Sequence, residues 1–90
     1  MVVRLLKQED LDGLVSLEQE LFDNPFGTQS CLEELTEDNR LYLGIFNDGV
    51  LIAYVGVMIT LDTADIIKIG VTKSQQGKGY AKRLMMLLLQ

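Results

Sequence analysis

A glycine-bearing segment near the end of the chain holds the residue types best suited to binding an anion. Residues 65–71 predict a strand that, after Asp65 at its start, is apolar on both faces except for Lys68, and Gly77-Lys78-Gly79 then leads into a basic helix. Backbone N–H groups converge at a helix N-terminus, where the helix dipole also favours negative charge. Glycine lets the backbone approach a ligand with no Cβ in the way. The segment therefore predicts a site for a phosphate-bearing ligand.

Charge is distributed unevenly along the chain. Residues 1–65 contain all 13 acidic residues and three basic ones, whereas residues 66–90 contain five basic residues and no acidic one. This asymmetry favours a localised anion site over a general polyanion-binding surface. The alternative is a chance cluster of bases on a solvated helix face.

Two common phosphate-binding loops fit this segment badly. A Walker loop requires Ser or Thr after its Gly-Lys pair, but Gly79 follows Gly77-Lys78 here. A dinucleotide-binding fingerprint requires a third glycine where Lys82 stands.

Composition excludes several classes of function. The chain has no histidine and one cysteine, which excludes Ser-His-Asp and Cys-His catalysis and makes a tetrahedral zinc site untenable. The net charge of −5 and the lack of an aromatic platform argue against nucleic-acid binding. The longest apolar stretch, residues 50–61, is far shorter than the roughly 20 residues of a membrane span, and the start shows no signal-peptide pattern. We expect a cytoplasmic protein without membrane association.

Residue patterning predicts a mixed α/β domain with a mainly antiparallel sheet and flanking helices, in the order strand-helix-helix-strand-strand-strand-helix. The hairpin turn at Asp48-Gly49 is the strongest local signal. Thr28 or Ser30 is predicted to cap the second helix, and Gly56 to mark a bulge. The strand at residues 65–71 is predicted to be central because it is apolar on both faces. We expect side chains of three further residues in the core: Cys31, Tyr42 and Tyr54.

Residues 84–89 are apolar all around the last predicted helix, and no capping glycine follows them. Such a helix requires burial on several sides. We therefore expect residues 1–90 to form a single incomplete domain that is cut within this helix. The alternative is a frayed terminal helix that docks on the sheet.

A longer pattern resembles a known enzyme family. Gln76-x-x-Gly79-x-Ala81 is similar to the Gln/Arg-x-x-Gly-x-Gly/Ala signature of the GNAT acetyltransferases, and Ile69-Gly70-Val71 stands where that family has an Ile-Ala-Val-like strand end. Upstream residues resemble the RimI-type branch, which acetylates ribosomal-protein alanines. These residues are Leu17-Glu18, Phe22, Pro25-Phe26 and Glu34-Leu35. Phe26, usually tryptophan, and Lys73, often proline, depart from that branch. The resemblance covers the whole chain.

The resemblance implies the N-terminal part of the GNAT fold, acetyl-CoA as cosubstrate, no metal, and direct attack of an amine on the thioester. The implied acceptor is the N-terminal α-amine of a ribosomal-protein alanine. The implied pantetheine-binding residues are Ile69, Gly70 and Val71, with the Val71 N–H polarising the thioester carbonyl. The implied pyrophosphate-binding residues are Gln76, Gly77, Lys78, Gly79, Tyr80, Ala81 and Lys82.

The resemblance implies fewer residues for binding the acceptor amine than for binding the cosubstrate. Pro25 and Phe26 are implied to contact the substrate, and Asp65 matches a place where some family members carry a catalytic glutamate; the alternative is a surface acid at a strand start. The family continues with a fifth strand, a helix and a hairpin, where its main catalytic residues lie.

Other functions remain open from the sequence. The chain could be a non-catalytic remnant that binds CoA or a partner, completed by a second chain or a homo-oligomer through the open sheet edge. The acceptor could also be a lysine or a small-molecule amine.

Overall fold

A four-stranded antiparallel sheet forms the centre of the molecule. A computed structural model describes residues 1–89. The strands lie side by side in chain order: β1 (Val2–Leu5), β2 (Arg40–Asn47), β3 (Val50–Ile59) and β4 (Ala64–Val71). The predicted mixed α/β class and the predicted order of elements are confirmed.

Helices cover both faces of the sheet. A short 3-10 turn at residues 8–10 leads into α1 (Leu11–Leu21), and α1 packs on one face together with α2 (Thr28–Thr36). The third helix, α3 (Tyr80–Leu88), packs on the other face. The first core contains the side chains predicted to be buried: Cys31, Tyr42 and Tyr54.

The predicted central position of β4 is wrong for the described sheet. β4 pairs only with β3 and lies at an edge, while β2 and β3 are the two central strands. Helices cover both faces of the sheet, and β4 therefore carries apolar side chains on both of its faces. This pattern arises although a strand flanks β4 on one side only.

The turn predicted at Asp48-Gly49 is confirmed, whereas the bulge predicted at Gly56 lies opposite it, on β4. Asp48 (φ 52°) and Gly49 (φ 79°) form the tight β2–β3 turn, where both central residues require a positive φ. The β3–β4 register shifts between Gly56 and Val57, which leaves Ile67 as the extra residue on β4. Any Cβ on Gly56 would collide with the Tyr42 ring, so this position also needs glycine for close packing.

The predicted cap of α2 is wrong. The helix begins at Thr28 with Gly27 as its N-cap, and no side chain caps it. Ser30 lies inside the first turn, where its hydroxyl cannot serve as the N-cap.

The last helix is short and partly exposed. Leu84 is fully buried against the sheet, whereas Met85, Met86 and Leu87 are exposed. Among residues 1–89, no helix is both long enough and apolar enough to cross a membrane.

Candidate functional site

Within residues 1–89, no strand pairs with the outer edge of β4. The N–H of Thr72 donates to the Ile52 carbonyl at 2.8 Å, so Thr72 points its backbone groups at β3. Backbone groups of alternate residues point to opposite sides of an antiparallel strand. Those of Ile69 and Val71 therefore point away from β3. There the groups of Ile69 and the N–H of Val71 could pair with an extended ligand as an added strand, while the Val71 carbonyl accepts from the Gln76 side chain.

Gly70 lies between these two residues and serves packing. It is buried opposite Tyr54, and an added Cβ would lie 2.8 Å from Leu21. Glycine here lets α1 approach β4 closely.

The turn after β4 has an open backbone. Gly77 (φ 81°) and Gly79 (φ 84°) adopt the left-handed conformation, and an added Cβ at either position would meet nothing within 4 Å. Among the described residues, no hydrogen bond uses the N–H groups of residues 77–82 as donors. This row of unused donors opens α3, whose N-cap is Gly79.

The side chain of Gln76 connects this turn to β4 by a hydrogen bond. Its Nε2 donates to the Val71 carbonyl at 3.0 Å. The signature glutamine therefore joins the end of β4 to the start of the turn.

Basic side chains surround the turn. Lys78, Lys82 and Arg83 are exposed, and Lys78 Nζ donates to Gln75 Oε1 at 3.1 Å. Tyr80 packs against the core under α3, and Ala81 is half-buried. The structure thus places Tyr80 as a packing residue at the edge of the turn.

Glu20 of α1 accepts hydrogen bonds from the residues at the start of the turn. Its carboxylate accepts the Thr72 hydroxyl at 2.8 Å and the Lys73 N–H at 2.7 Å. The Lys73 N–H, followed by the Thr72 hydroxyl, lowers the pKa of the Glu20 carboxyl. Sequence reasoning missed this contact because its partners lie 52 and 53 residues away and no motif joins them.

A buried carboxylate lies between α1, β4 and the loop that carries Pro25 and Phe26. The Glu18 side chain is 1% exposed and accepts hydrogen bonds from Lys68 Nζ at 2.7 Å, from the Phe26 N–H at 2.9 Å and from the Tyr54 hydroxyl. Burial, together with the bond to Glu18, raises the pKa of the Tyr54 hydroxyl above its usual range. We call Glu18, Tyr54, Lys68, Phe22 and Phe26 the Glu18 cluster.

Aromatic rings cover the cation of this cluster. Lys68 Nζ lies 4.1 Å from the Phe22 ring centroid and 3.9 Å from that of Phe26. The sequence held a signal for this arrangement, since Lys68 is the one charged residue within the apolar run of residues 66–71. A lone cation in a covered strand needs a buried partner.

The weaker acceptor-side candidates are solvent-exposed. Pro25 is exposed in the loop between α1 and α2. Asp65 is exposed beside Met58 and makes no ion pair within residues 1–89. By strand register Asp65 shares a face with Lys68, but no hydrogen bond or ion pair joins Asp65 to Pro25 or Phe26.

Cys31 is a core residue, as expected. Its Sγ donates to the Phe26 carbonyl at 3.7 Å, and burial, followed by the charge of Glu18, raises the pKa of the thiol to about 11. A thiol that stays protonated at neutral pH is a poor nucleophile. Within residues 1–89, no group of three or more candidate side chains could hold a metal ion.

Comparison with known proteins agrees with this geometry. The profile of the acetyltransferase (GNAT) family matches residues 8–90. The chain is 32% identical over 83 residues to a putative [ribosomal protein bS18]-alanine N-acetyltransferase of Bacillus subtilis (strain 168). That match covers 91% of this chain and 55% of the relative, so the chain spans about half the relative's length.

Solved structures share the fold at low sequence identity. The ribosomal-protein-S18-alanine N-acetyltransferase from Escherichia coli superposes with a TM-score of 0.89 at 20% identity, over 98% of this chain and 56% of that one. The PaiA N-acetyltransferase from Thermoplasma acidophilum, solved with coenzyme A, gives 0.83 at 19% identity, over 99% and 70%. At these identities the likeness establishes the fold, including the first four strands and three helices.

Proposed function

The chain belongs to the acetyltransferase (GNAT) family, and from that premise we propose that it binds acetyl-CoA and serves transfer of the acetyl group to an amine. The proposed acceptor is the N-terminal α-amine of a ribosomal protein, as the printed function of the Bacillus subtilis relative suggests.

The row of unused N–H donors from Gly77 to Lys82 is the observation that carries this proposal. It opens the first α-helix after an edge strand, so a pyrophosphate on the turn would continue into a pantetheine arm along β4. The residues present fit such a ligand, because no Cβ blocks the turn and Lys78 and Lys82 add positive charge.

Chemistry at the edge follows from the direction of its backbone groups. An N–H such as that of Val71 would donate to the thioester carbonyl and stabilise the oxyanion that forms when the amine attacks. The C–N bond then forms and the C–S bond breaks, so that CoA leaves as a thiolate. The proton of the amine passes to water or a nearby base, and the thiolate takes up a proton from water to give free CoA. An α-amine with a pKa near 8 is neutral in roughly a tenth of molecules at pH 7, so a weak base suffices. Asp65 stays the candidate for that base.

We propose further that residues 1–90 correspond to the first part of a GNAT domain. The chain spans about half of its curated relative, and one side of β4 carries backbone groups with no strand beside them. The rest of the ligand cleft would come from a further segment or from a second chain.

Acetyl-CoA titration by calorimetry, with a parallel thermal melt, tests binding. A folded binder at a hundred times its Kd gains about 2.7 kcal/mol of stability. Lys78→Glu is expected to weaken binding by about tenfold, since it places a negative charge beside the pyrophosphate. Lys7→Glu makes the same charge change in the connection before α1 and should leave the Kd unchanged. Equal losses in both variants, or no heat from a folded chain, would contradict the proposed site.

The acceptor is tested with amines of different classes. A peptide with an N-terminal alanine is expected to be acetylated, whereas a polyamine or an aminoglycoside is not. The reverse preference would overturn the proposed acceptor while leaving the proposed acetyl-CoA site intact.

A second candidate function is binding of CoA or a partner without catalysis. It is favoured by the share of the relative that the chain spans. Acetyl transfer by the isolated chain would refute it.

A further inference from the structure

The loop of residues 22–27, between α1 and α2, has few attachments of its own. It contains no regular helix or strand, and Pro25 at its centre is exposed. Its two ends continue α1 and α2, through the Phe22 N–H to the Glu18 carbonyl and through the Cys31 N–H to the Gly27 carbonyl. Between these ends the backbone is bonded at Phe26, whose N–H donates to the Glu18 carboxylate and whose carbonyl accepts from Cys31 Sγ. The position of the loop therefore depends on where Glu18 is held.

Glu18 is held by β3 and β4. The Tyr54 hydroxyl donates to one carboxylate oxygen, and Lys68 Nζ donates to the other, the same oxygen that receives the Phe26 N–H. Lys68 therefore interacts with the loop in two ways. It donates to the same Glu18 oxygen as the Phe26 N–H, and its ammonium faces the Phe22 and Phe26 rings.

Burial makes the loss of either partner of this ion pair more costly in free energy than it would be in an exposed pair. The side chain of Glu18 is 1% exposed and that of Lys68 is 18% exposed. Removing one partner leaves the other charge buried without compensation, whereas an exposed pair can exchange its partner for water. The geometry of the loop and that of β4 are therefore coupled through one pair of charges.

We propose that the Glu18–Lys68 ion pair is the positioning device of the acceptor site, which it sets by fixing the loop of residues 22–27 against β4. This inference rests on the proposed function, because Pro25 and Phe26 are acceptor-side residues only if an amine is acetylated at β4. Glu18 and Lys68 act through the loop and are positioning residues.

The test compares Lys68→Gln with Lys68→Arg. The glutamine variant removes the charge, while arginine keeps it and still stacks on aromatic rings. Two quantities are measured: hydrogen exchange of the Phe26 N–H, and the KM for an N-terminal peptide set against the Kd for acetyl-CoA. We expect Lys68→Gln to accelerate the exchange and raise the peptide KM by about tenfold each, with the acetyl-CoA Kd unchanged. Lys68→Arg should restore both.

Arg40→Gln is the matched control. It breaks the ion pair of Arg40 with Glu34, 3.2 Å long, which joins β2 to α2 away from the loop. It should lower stability and leave the Phe26 exchange and the peptide KM unchanged. A rise in KM shared by both glutamine variants would reduce the effect to general destabilisation and overturn the proposal.

Should Lys68→Gln fail to fold, the double variant Glu18→Gln/Lys68→Met decides, because it removes both charges of the ion pair and leaves neither buried alone. Unchanged Phe26 exchange and unchanged peptide KM in that variant would contradict the proposal. Absence of acetyl-CoA binding or transfer in the parent chain would contradict the proposed function instead. The exchange measurement then decides alone whether the ion pair fixes the loop.

Discussion

Glu20 shows how much of the site depends on single side chains outside the signature. Its carboxylate joins α1 to the Thr72 hydroxyl and the Lys73 N–H, where the chain leaves β4. Gln76 makes the corresponding contact from within the turn, on the Val71 carbonyl. Both side chains therefore hold the start of the turn, next to β4, before any ligand binds.

Glu20→Gln is expected to lower the free energy of unfolding by roughly 0.5–1 kcal/mol at pH 7, as for an exposed charged contact. Because the folded-state pKa of Glu20 lies below its ordinary 4.5, its stabilisation is present above that pH and is lost as the pH falls through the lower folded-state value. Urea unfolding of both proteins from pH 7 to pH 3 measures this. A difference that persists undiminished at pH 3 would exclude the carboxylate as its source.

At the scale of elements, the junction between β4 and α3 combines an open strand edge with a glycine turn. Gly79 is the N-cap of α3 at a φ of 84°, and no side chain caps this helix. Left-handed conformations cost roughly 1–2 kcal/mol for residues with a Cβ. The helix start thus depends on glycine twice, for its backbone conformation and for access of a ligand to the N–H groups.

Gly79→Ala is expected to destabilise the protein by about 1 kcal/mol or more and to weaken acetyl-CoA binding. Gly13→Ala is the matched control. Gly13 lies inside α1, and an added Cβ would make an ordinary 3.6 Å contact with Leu51. Alanine there should stabilise the helix by up to about 1 kcal/mol and leave binding unchanged. Thermal melts with and without acetyl-CoA separate the two effects, and equal behaviour of the two variants would refute the role of the positive φ.

At the scale of the whole molecule, the two sheet edges differ. β1 has four residues and carries Arg4, whereas β4 has eight residues and exposes Ile66, which is 46% accessible. Ile66 also lines an apolar groove of about 260 Å³ together with Met85 and Leu88 of α3. Long apolar edges favour pairing with another strand, and charged or short ones oppose it.

Self-association through β4 is therefore expected as protein concentration rises. Ile66→Lys should weaken it by about tenfold, because it places a charge on the edge and in the groove. Val2→Lys makes the same kind of change on the β1 edge and should have no effect. Sedimentation velocity over a concentration series checks both variants, and a parent chain that stays monomeric throughout would disprove the expectation.

Local signals were sufficient for the parts of the fold that depend on neighbouring residues. Asp48-Gly49 predicted its turn because few residues tolerate a positive φ, and Gly79 with the basic residues after it predicted the start of α3. The cap of α2 was mistaken although it is local, since Gly27 fills the position without any side-chain bond.

The residues of the candidate site form two groups: those that are neighbours in the chain, and those that only the tertiary structure brings together. Residues 76–82 of the turn are contiguous, so they lie close together in space whatever the rest of the fold is. Their residue types and spacing in the chain were therefore enough to identify the signature. Glu18 and Lys68 are 50 positions apart, and Glu20 and Thr72 are 52 apart. Nothing in the spacing of such residues says that they meet. Their contacts, and the place of β4 at the sheet edge, arise from how helices cover the sheet, because burial selects which distant charges are brought together and must be paired.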